Sequence, residues 1–575
     1  MKVGGRLMKY SMPKNRKINV VFITPDQMRA DHLHCYGYFR KTSPYIDKMA
    51  QEGVLFNRHY TVASWTTPSF CSIMSSLVPS RHGATLFGSS IADSIPLLSE
   101  QFKEAGYRTV AFCNNALASK PLARGFDELY EGERRRPQNI TEHMEFGAQG
   151  TNKKIFEWFN QYHGEPFFMW ILYFEPHSPY NPPPEHDIFQ TSSYPDETNN
   201  GYGPEKNSGR LYRLANAGDK KAVERLNGLY DGKIHFVDHY IGQVLEKLRE
   251  LDLDEKTLVV LASDHGEMLY EHVDCLTFDH RSLYDSNIHV PLIMRGPSIP
   301  KGKSVDAIVS TLDIAPTILE IAGLPPLQGA QGKSLVPLIL GKDEAVHECI
   351  FAEQDILEPL RSVRNERYKL IYHLRDEQIQ LYDVMVDPGE KKDIAGQKPE
   401  IVEFLSGKLT DYMKENEPSE EEKISRWRQQ AASFPEIIVD EVTIGARLQF
   451  FGTSYDELAS WVKMSNGGNS YRGACYWIEP GDGSKGALWR TDNPLSGTYN
   501  IYVWYGKLPQ RRSATNARFT VTTRQGSQTF FVDQNKNIGK WNLLGEFKDP
   551  LYVKVTDKAD GPIIIDAVKF ERIKS

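Results

Sequence analysis

Four stretches in the first half of the chain are apolar almost without interruption: Ile18 to Thr24, Thr109 to Cys113, Phe167 to Phe174 and Thr257 to Ala262. Such runs, with no polar alternation, predict strands buried on both faces. Between them the apolar positions recur at helical spacing. Pro44 to Gln51 reads as a helix with Ser43 as cap, Pro44 in its first turn and Gly53 as stop. Ser94 to Ala105, Asn152 to Gly164 and Ala222 to Leu251 carry the same periodicity. Strands alternating with helices predict an α/β fold, a doubly wound sheet with helices on both faces. Short alternating runs such as Tyr368 to Tyr372 and Gln380 to Asp383 then predict a small antiparallel subdomain. From Ile437 the helical signal ends. Thr498 to Trp504, Arg518 to Thr522 and Ile563 to Phe570 predict an all-β sandwich. The expected organisation is an α/β domain over 1–345, an antiparallel subdomain completing it over 346–400, a helical linker over 401–434 and a β-sandwich over 435–575.

Ligands of open α/β sheets gather outside the carboxyl ends of the strands. Here those ends read Asp26-Gln27, Asn114-Asn115, Glu175-Pro176-His177 and Ser263-Asp264-His265. One further stretch carries chemistry: Ser64-Trp65-Thr66-Thr67-Pro68-Ser69-Phe70-Cys71, running on to Pro79-Ser80-Arg81-His82-Gly83. A hydroxyl at a helix N-terminus sits among free N–H groups that favour an anion, and it becomes a nucleophile when a metal lowers its pKa. The same hydroxyl is also what an N-cap requires. Asp26, Thr66, Asp264 and His265 offer one divalent cation three oxygens and a nitrogen, a set that suits Zn or Mn better than Ca or Mg. His177 and His280 are candidates to donate to a transferring oxyanion or to protonate a leaving oxygen. His272 and His289 read as structural, and the Pro-, Ser- and Asn-rich segment from Pro182 to Gly209 as an irregular excursion at the mouth of the site.

The bulk numbers add limits. With 575 residues, two or three domains are expected, and 40% hydrophobic against 25% charged residues is ordinary globular composition. A net charge of -7, spread along the chain, gives no reason to expect nucleic acid or an anionic membrane as partner. The six cysteines have no CxxC spacing and read as thiols of a reducing compartment. No apolar segment follows the basic residues at the N-terminus, so the expected location is cytoplasmic, or extracytoplasmic if a leader has been removed. The longest apolar run is too short to span a bilayer.

Several motifs stand in a fixed order: Asp26 to Asp31, Thr66 to Gly83, Pro176-His177-Ser178-Pro179-Tyr180, Ser263 to Glu267, Leu283-Tyr284-Asp285, Val290 to Ile293, Asp313 to Thr317, and Leu381 to Asp383 with Asp387 to Glu390. That ordered set resembles the sulfatase branch of the alkaline phosphatase superfamily. The resemblance implies that Asp26, Thr66, Asp264 and His265 match metal and nucleophile positions, and that Gln27 matches a further metal-site residue. It places His177 at a catalytic histidine and His280 where relatives carry lysine or histidine against the sulfate. Asn114 or Asn115 falls near another lysine-bearing position. One departure matters: the Cys/Ser-x-Pro-x-Arg motif that yields formylglycine reads Thr66-Thr67-Pro68-Ser69-Phe70 here. Threonine cannot become the aldehyde, which implies a Thr nucleophile and favours a phosphorus ester over a sulfate ester. The C-terminal pieces Ser496 to Trp504, Val532 to Asn535, Trp541 to Gly545 and Ile565 to Phe570 resemble a golvesin-type domain, with glycan binding or self-association as its expected roles. The expected function is a metal-dependent hydrolase of a phosphodiester, phosphonate or sulfate ester on a small molecule or glycan. The alternatives are a transferase to a glycan or lipid alcohol and an inactive scaffold.

Overall fold

The apolar run after Lys17 becomes the strand Asn19–Asp26, buried along its whole length. The structure, a computed structural model, describes residues 17–131, 147–189, 211–418 and 474–573, with short interruptions that include 86–88, 273–277, 279, 281 and 508–511. It also describes strand backbone at 436–439, 446–451 and 464–465. The chain divides into two units, Met1–Glu417 and Pro418–Ser575.

In the first unit an eight-stranded sheet runs in the order Glu128–Glu131, Arg108–Cys113, Phe167–Pro176, Asn19–Asp26, Thr257–Ala262, Leu292–Arg295, Val54–Phe56, Lys303–Val305. The first five are parallel. Leu292–Arg295 runs antiparallel to both its neighbours, so the expected doubly wound sheet is mixed. Each face has its own core. Phe22, Trp170 and Val260 pack with Phe70 and Ile73 of the helix Thr66–Ser75. Val21, Ile23 and Ile171 pack with Ile234 and Ile241 of the helix Lys220–Glu250. All ten residues of Thr66–Ser75 are buried. At about 1.5–3 kcal/mol for each large side chain removed from water, that helix is fixed in the core.

Ile350–Gln354, Leu360–Arg364, Tyr368–His373 and Ile379–Asp383 form the small antiparallel sheet in sequence order. The helix Pro399–Asn416 buries Leu405, Leu409 and Tyr412 against Val363, Leu370 and Leu381 of that sheet. This corrects the start of the expected linker: its apolar stripe makes this helix part of the first unit. The linker expectation from 419 to 434 lies outside the described residues.

The second unit is all β. A four-stranded antiparallel sheet holds Glu436–Val439, Ala567–Arg572, Thr498–Trp504 and Asn542–Lys548. A five-stranded one holds Ala446–Phe451, Gly486–Thr491, Pro550–Thr556, Ala517–Thr523 and Gly526–Val532. Tyr499, Ile501 and Val503 are buried while their neighbours are half-buried, the period of a strand with one face inward. They share a core with Trp489, Phe519, Val521 and Val555 of the other sheet, as a sandwich requires.

Candidate active site

Asp26 is the last residue of its strand, and Asp264 and His265 follow the end of the neighbouring strand Thr257–Ala262. Ser263 joins the two strand ends, its hydroxyl donating to the Pro25 carbonyl (2.8 Å) and accepting from the Met28 N–H (2.9 Å). The Ser69 hydroxyl donates to the Asp264 carbonyl at 2.7 Å, which ties the helix bearing Thr66 to the same corner. Gly266 has no alternative there, since a Cβ would stand 2.1 Å from the Ser286 carbonyl oxygen.

The side chains of Asp26, Asp264 and His265 are wholly buried and offer ligand atoms within 4.8 Å of one another. Among the described residues no other group of three His, Cys, Asp or Glu does so. Asp26 Oδ2 accepts from Asn115 Nδ2 at 2.6 Å, and Asp264 Oδ1 from the Gln27 N–H at 3.1 Å. Asp26 Oδ1 and Asp264 Oδ2 are buried without any hydrogen bond. His265 Nδ1 faces the Gly266 carbonyl at 2.9 Å. A carbonyl only accepts, so Nδ1 carries the proton and Nε2 presents a lone pair, 3.4 Å from Asp264 Oδ2 and 3.7 Å from Asp26 Oδ1. Burial, then the neighbouring Asp264 charge, pushes the Asp26 carboxyl well above the ordinary carboxylate range. Burial likewise raises that of Asp264, against the hydrogen bond it accepts from the Gln27 N–H. Two buried carboxylates and an imidazole lone pair with no cation between them are expensive to assemble. The orphaned oxygens and the lone pair fit a divalent ion.

Thr66 opens the helix Thr66–Ser75, following extended Trp65 in the N-cap position, and its hydroxyl lies 3.3 Å from His265 Nε2. No side chain caps this helix, so of the two roles open to the Thr66 hydroxyl, the cap is not the one taken. Phe70, at the position of the formylglycine arginine, is buried edge-on against Trp170 with ring centroids 5.4 Å apart. That position belongs to the core.

His177 Nδ1 faces the Ser178 carbonyl at 2.7 Å, and burial pushes its pKa down to about 4, so at neutral pH it is an uncharged ring with a lone pair on Nε2. The His280 ring stacks on that of His265 at 4.6 Å and lies 6.4 Å from that of His177. Gln27 stands between them, its Oε1 3.3 Å from the Ser178 N–H and its Nε2 2.8 Å from His280 Nδ1. The structure thus brings Asp26, Gln27, Thr66, His177, Asp264, His265 and His280 to one corner. Of the asparagine pair, Asn115 reaches Asp26, whereas Asn114 donates to Thr151 Oγ1. His289 bonds the Asn57 carbonyl and His272 stacks on Tyr284.

Sequence reasoning missed Tyr230, Ser69 and Ser263. The Tyr230 hydroxyl donates to the Gln27 carbonyl (2.7 Å) and accepts from the Arg29 N–H (3.0 Å), holding the loop from the helix Lys220–Glu250. As one aromatic on a long amphipathic face, Tyr230 carries no local signal of that role. Ser263 stands in a strand exit already read from the sequence, but as a hydroxyl there it was given no role.

The sulfatase family profile matches residues 18–324, just over half of the chain. The profile of the N-sulphoglucosamine sulphohydrolase C-terminal region matches 274–416, and that of the golvesin C-terminal domain 452–572. Arylsulfatase K of Gallus gallus is 32% identical over 203 residues, covering 32% of this chain and 36% of that protein. The chain thus spans about a third of that relative's length. N-acetylglucosamine-6-O-sulfatase of Bacteroides thetaiotaomicron is 25% identical over 504 residues, covering 72% of this chain and 89% of that one. The solved phosphonate monoester hydrolase of Silicibacter pomeroyi shares the fold, with a TM-score of 0.58 at 21% identity over 70% of this chain and 96% of its own.

Proposed function

We propose, from the premise that this chain belongs to the sulfatase family, that it is a metal-dependent ester hydrolase with Thr66 as nucleophile. Its substrates are phosphodiester, phosphonate or sulfate esters of a small molecule or glycan. The observation that carries this reading is the Thr66 hydroxyl beside His265 Nε2, next to two buried carboxylate oxygens that lack partners.

Asp26, Asp264 and His265, with the Thr66 oxygen, would hold one divalent ion, which when bound lowers hydroxyl pKa values and draws charge off an esterified oxygen. Thr66 Oγ1 gives up its proton and forms the new bond to phosphorus or sulfur while the bond to the alcohol oxygen breaks, and the alcohol leaves carrying one proton, so the step is balanced. The mixed ester on Thr66 has a single oxygen on its Cβ and no route to an aldehyde. Water must therefore cleave it, and the Nε2 lone pair of neutral His177 suits removal of a proton from that water. A sulfate ester on Thr66 would lack the aldehyde route by which formylglycine expels sulfate, which favours phosphorus esters.

Thr66→Ala should lower turnover of p-nitrophenyl phosphonate, phosphodiester and sulfate esters by about a thousandfold or more, with the circular dichroism spectrum unchanged. Activity within a few-fold of the parent would remove Thr66 from the mechanism.

A further inference from the structure

The hydrogen-bond directions around Gln27 determine where a neighbouring proton sits. The Ser178 backbone N–H lies 3.3 Å from the Gln27 carboxamide and can only donate. It must therefore face the carboxamide oxygen, which turns the NH2 group toward His280. That nitrogen, 2.8 Å from His280 Nδ1, has only hydrogens to give. Nδ1 is the acceptor, so the proton of the neutral His280 ring is on Nε2. His177 and His265 have the opposite arrangement, their Nδ1 atoms facing carbonyls at 2.7 and 2.9 Å. Of the three imidazoles at this corner, His280 alone is set as a donor through Nε2.

Gln27 is held independently of any substrate. Its backbone sits at φ 70, a left-handed conformation that side chains other than glycine rarely adopt. The N–H bonded to Asp264 Oδ1 and the carbonyl bonded by the Tyr230 hydroxyl keep it there. A strained, doubly clamped residue whose side chain reaches a histidine of the site points to a placed function.

We propose that Gln27 is a positioning residue: its carboxamide holds His280 as the Nε2–H tautomer, so that His280 donates a hydrogen bond to a non-bridging oxygen of the bound ester. This rests on the hydrolase reading above. It also gives Gln27 a role beyond the metal-site position implied by its place in the motif, since the carboxamide already has the Ser178 N–H on its oxygen and His280 Nδ1 on its nitrogen.

The test uses the full-length, metal-loaded protein in four forms: parent, Gln27→Met, His280→Ala and the double variant. Three readouts are taken: metal content per chain, kcat and KM on p-nitrophenyl esters, and vanadate affinity by calorimetry. Gln27→Met should keep its metal and lose about tenfold to a hundredfold in kcat/KM, with weaker vanadate binding. Added to His280→Ala, the same substitution should cost less than about twofold, since the two residues act as one unit. Loss of metal in Gln27→Met would overturn the proposal in favour of a ligand. Full multiplicative losses in the double variant would overturn it in favour of independent roles. A parent inactive on every ester would remove the hydrolase reading, and the vanadate cycle would still decide whether Gln27 acts through His280.

Discussion

Two groups of buried charge in the first unit reach opposite electrostatic ends. At the sheet edge, Asp26 and Asp264 form no ion pair with a Lys or Arg among the described residues, two of their oxygens lack hydrogen bonds, and burial drives both carboxyls toward protonation. Around Asp285 the acid is answered. Arg364 Nη1 lies 2.9 Å from each of its oxygens, and Lys369 Nζ is 2.8 Å from Oδ1 and 2.6 Å from Glu390 Oε1. Burial pushes against ionisation there too, yet Arg364 and Lys369 hold the Asp285 carboxyl well below the ordinary range. All three aspartates stand in stretches that resemble family motifs. The difference teaches that a motif aspartate paired with a side-chain cation fastens one part of the fold to another, here the small sheet to the main domain. A motif aspartate left unpaired marks the place where the cation comes from solution.

The comparison is broken most directly by removing a carboxylate from the first group and a cation from the second. Asp264→Ala should take metal content from about one ion per chain to near zero and turnover down by about a thousandfold. Metal retained at parental stoichiometry would show that the unpaired carboxylates are not ligands. Lys369→Met should leave the metal in place but uncover Glu390 and Asp285. Removing one partner of a buried pair costs about 3–5 kcal/mol, and thermal or urea unfolding would read it. A variant as stable as the parent would mean that the Asp285 group is not the fastener the geometry describes.

How much of this was legible beforehand follows the range of the interactions. Thr257–Ala262 has the bounds its apolar run predicts, and the helix Pro44–Gln51 does too, because strand burial and helix ends are written locally. The site residues were found as polar groups at strand exits, a short-range signal. The antiparallel strand Leu292–Arg295 was not foreseen, since the direction of a strand depends on its crossover rather than on its composition. Ser43 precedes its helix as expected, but its hydroxyl donates to Asp47 Oδ1 and caps nothing. The Gln27–His280 contact joins residues 253 positions apart, and the hold of Tyr230 on Gln27 spans 203. No local pattern encodes either one. The choice between Asn114 and Asn115 was open for a similar reason, as only the direction in which the chain leaves the strand decides which reaches Asp26.

The smallest expected effect sharpens the contrast through pH. In metal-free protein the Asp26 and Asp264 carboxyls are raised above their unfolded values. A raised carboxyl contributes stability that is present below the unfolded pKa and lost as pH rises through the folded one. Asp285 is depressed and has the opposite sign: its contribution is full above the ordinary carboxylate pKa and is lost only on acidification below it. An ion bound by Asp26, Asp264 and His265 needs both carboxyls deprotonated, so the stability it adds grows over the pH range in which the metal-free protein loses stability. Adding Zn or Mn to chelator-treated protein should therefore raise the melting temperature more at about pH 8 than at about pH 5, by about 2–4 °C for each kcal/mol gained. Asp285→Asn should leave that trend intact while flattening the loss on the acid side. A metal-induced gain independent of pH would mean that the two unpaired carboxylates do not titrate with metal binding, and the two groups would no longer differ in kind.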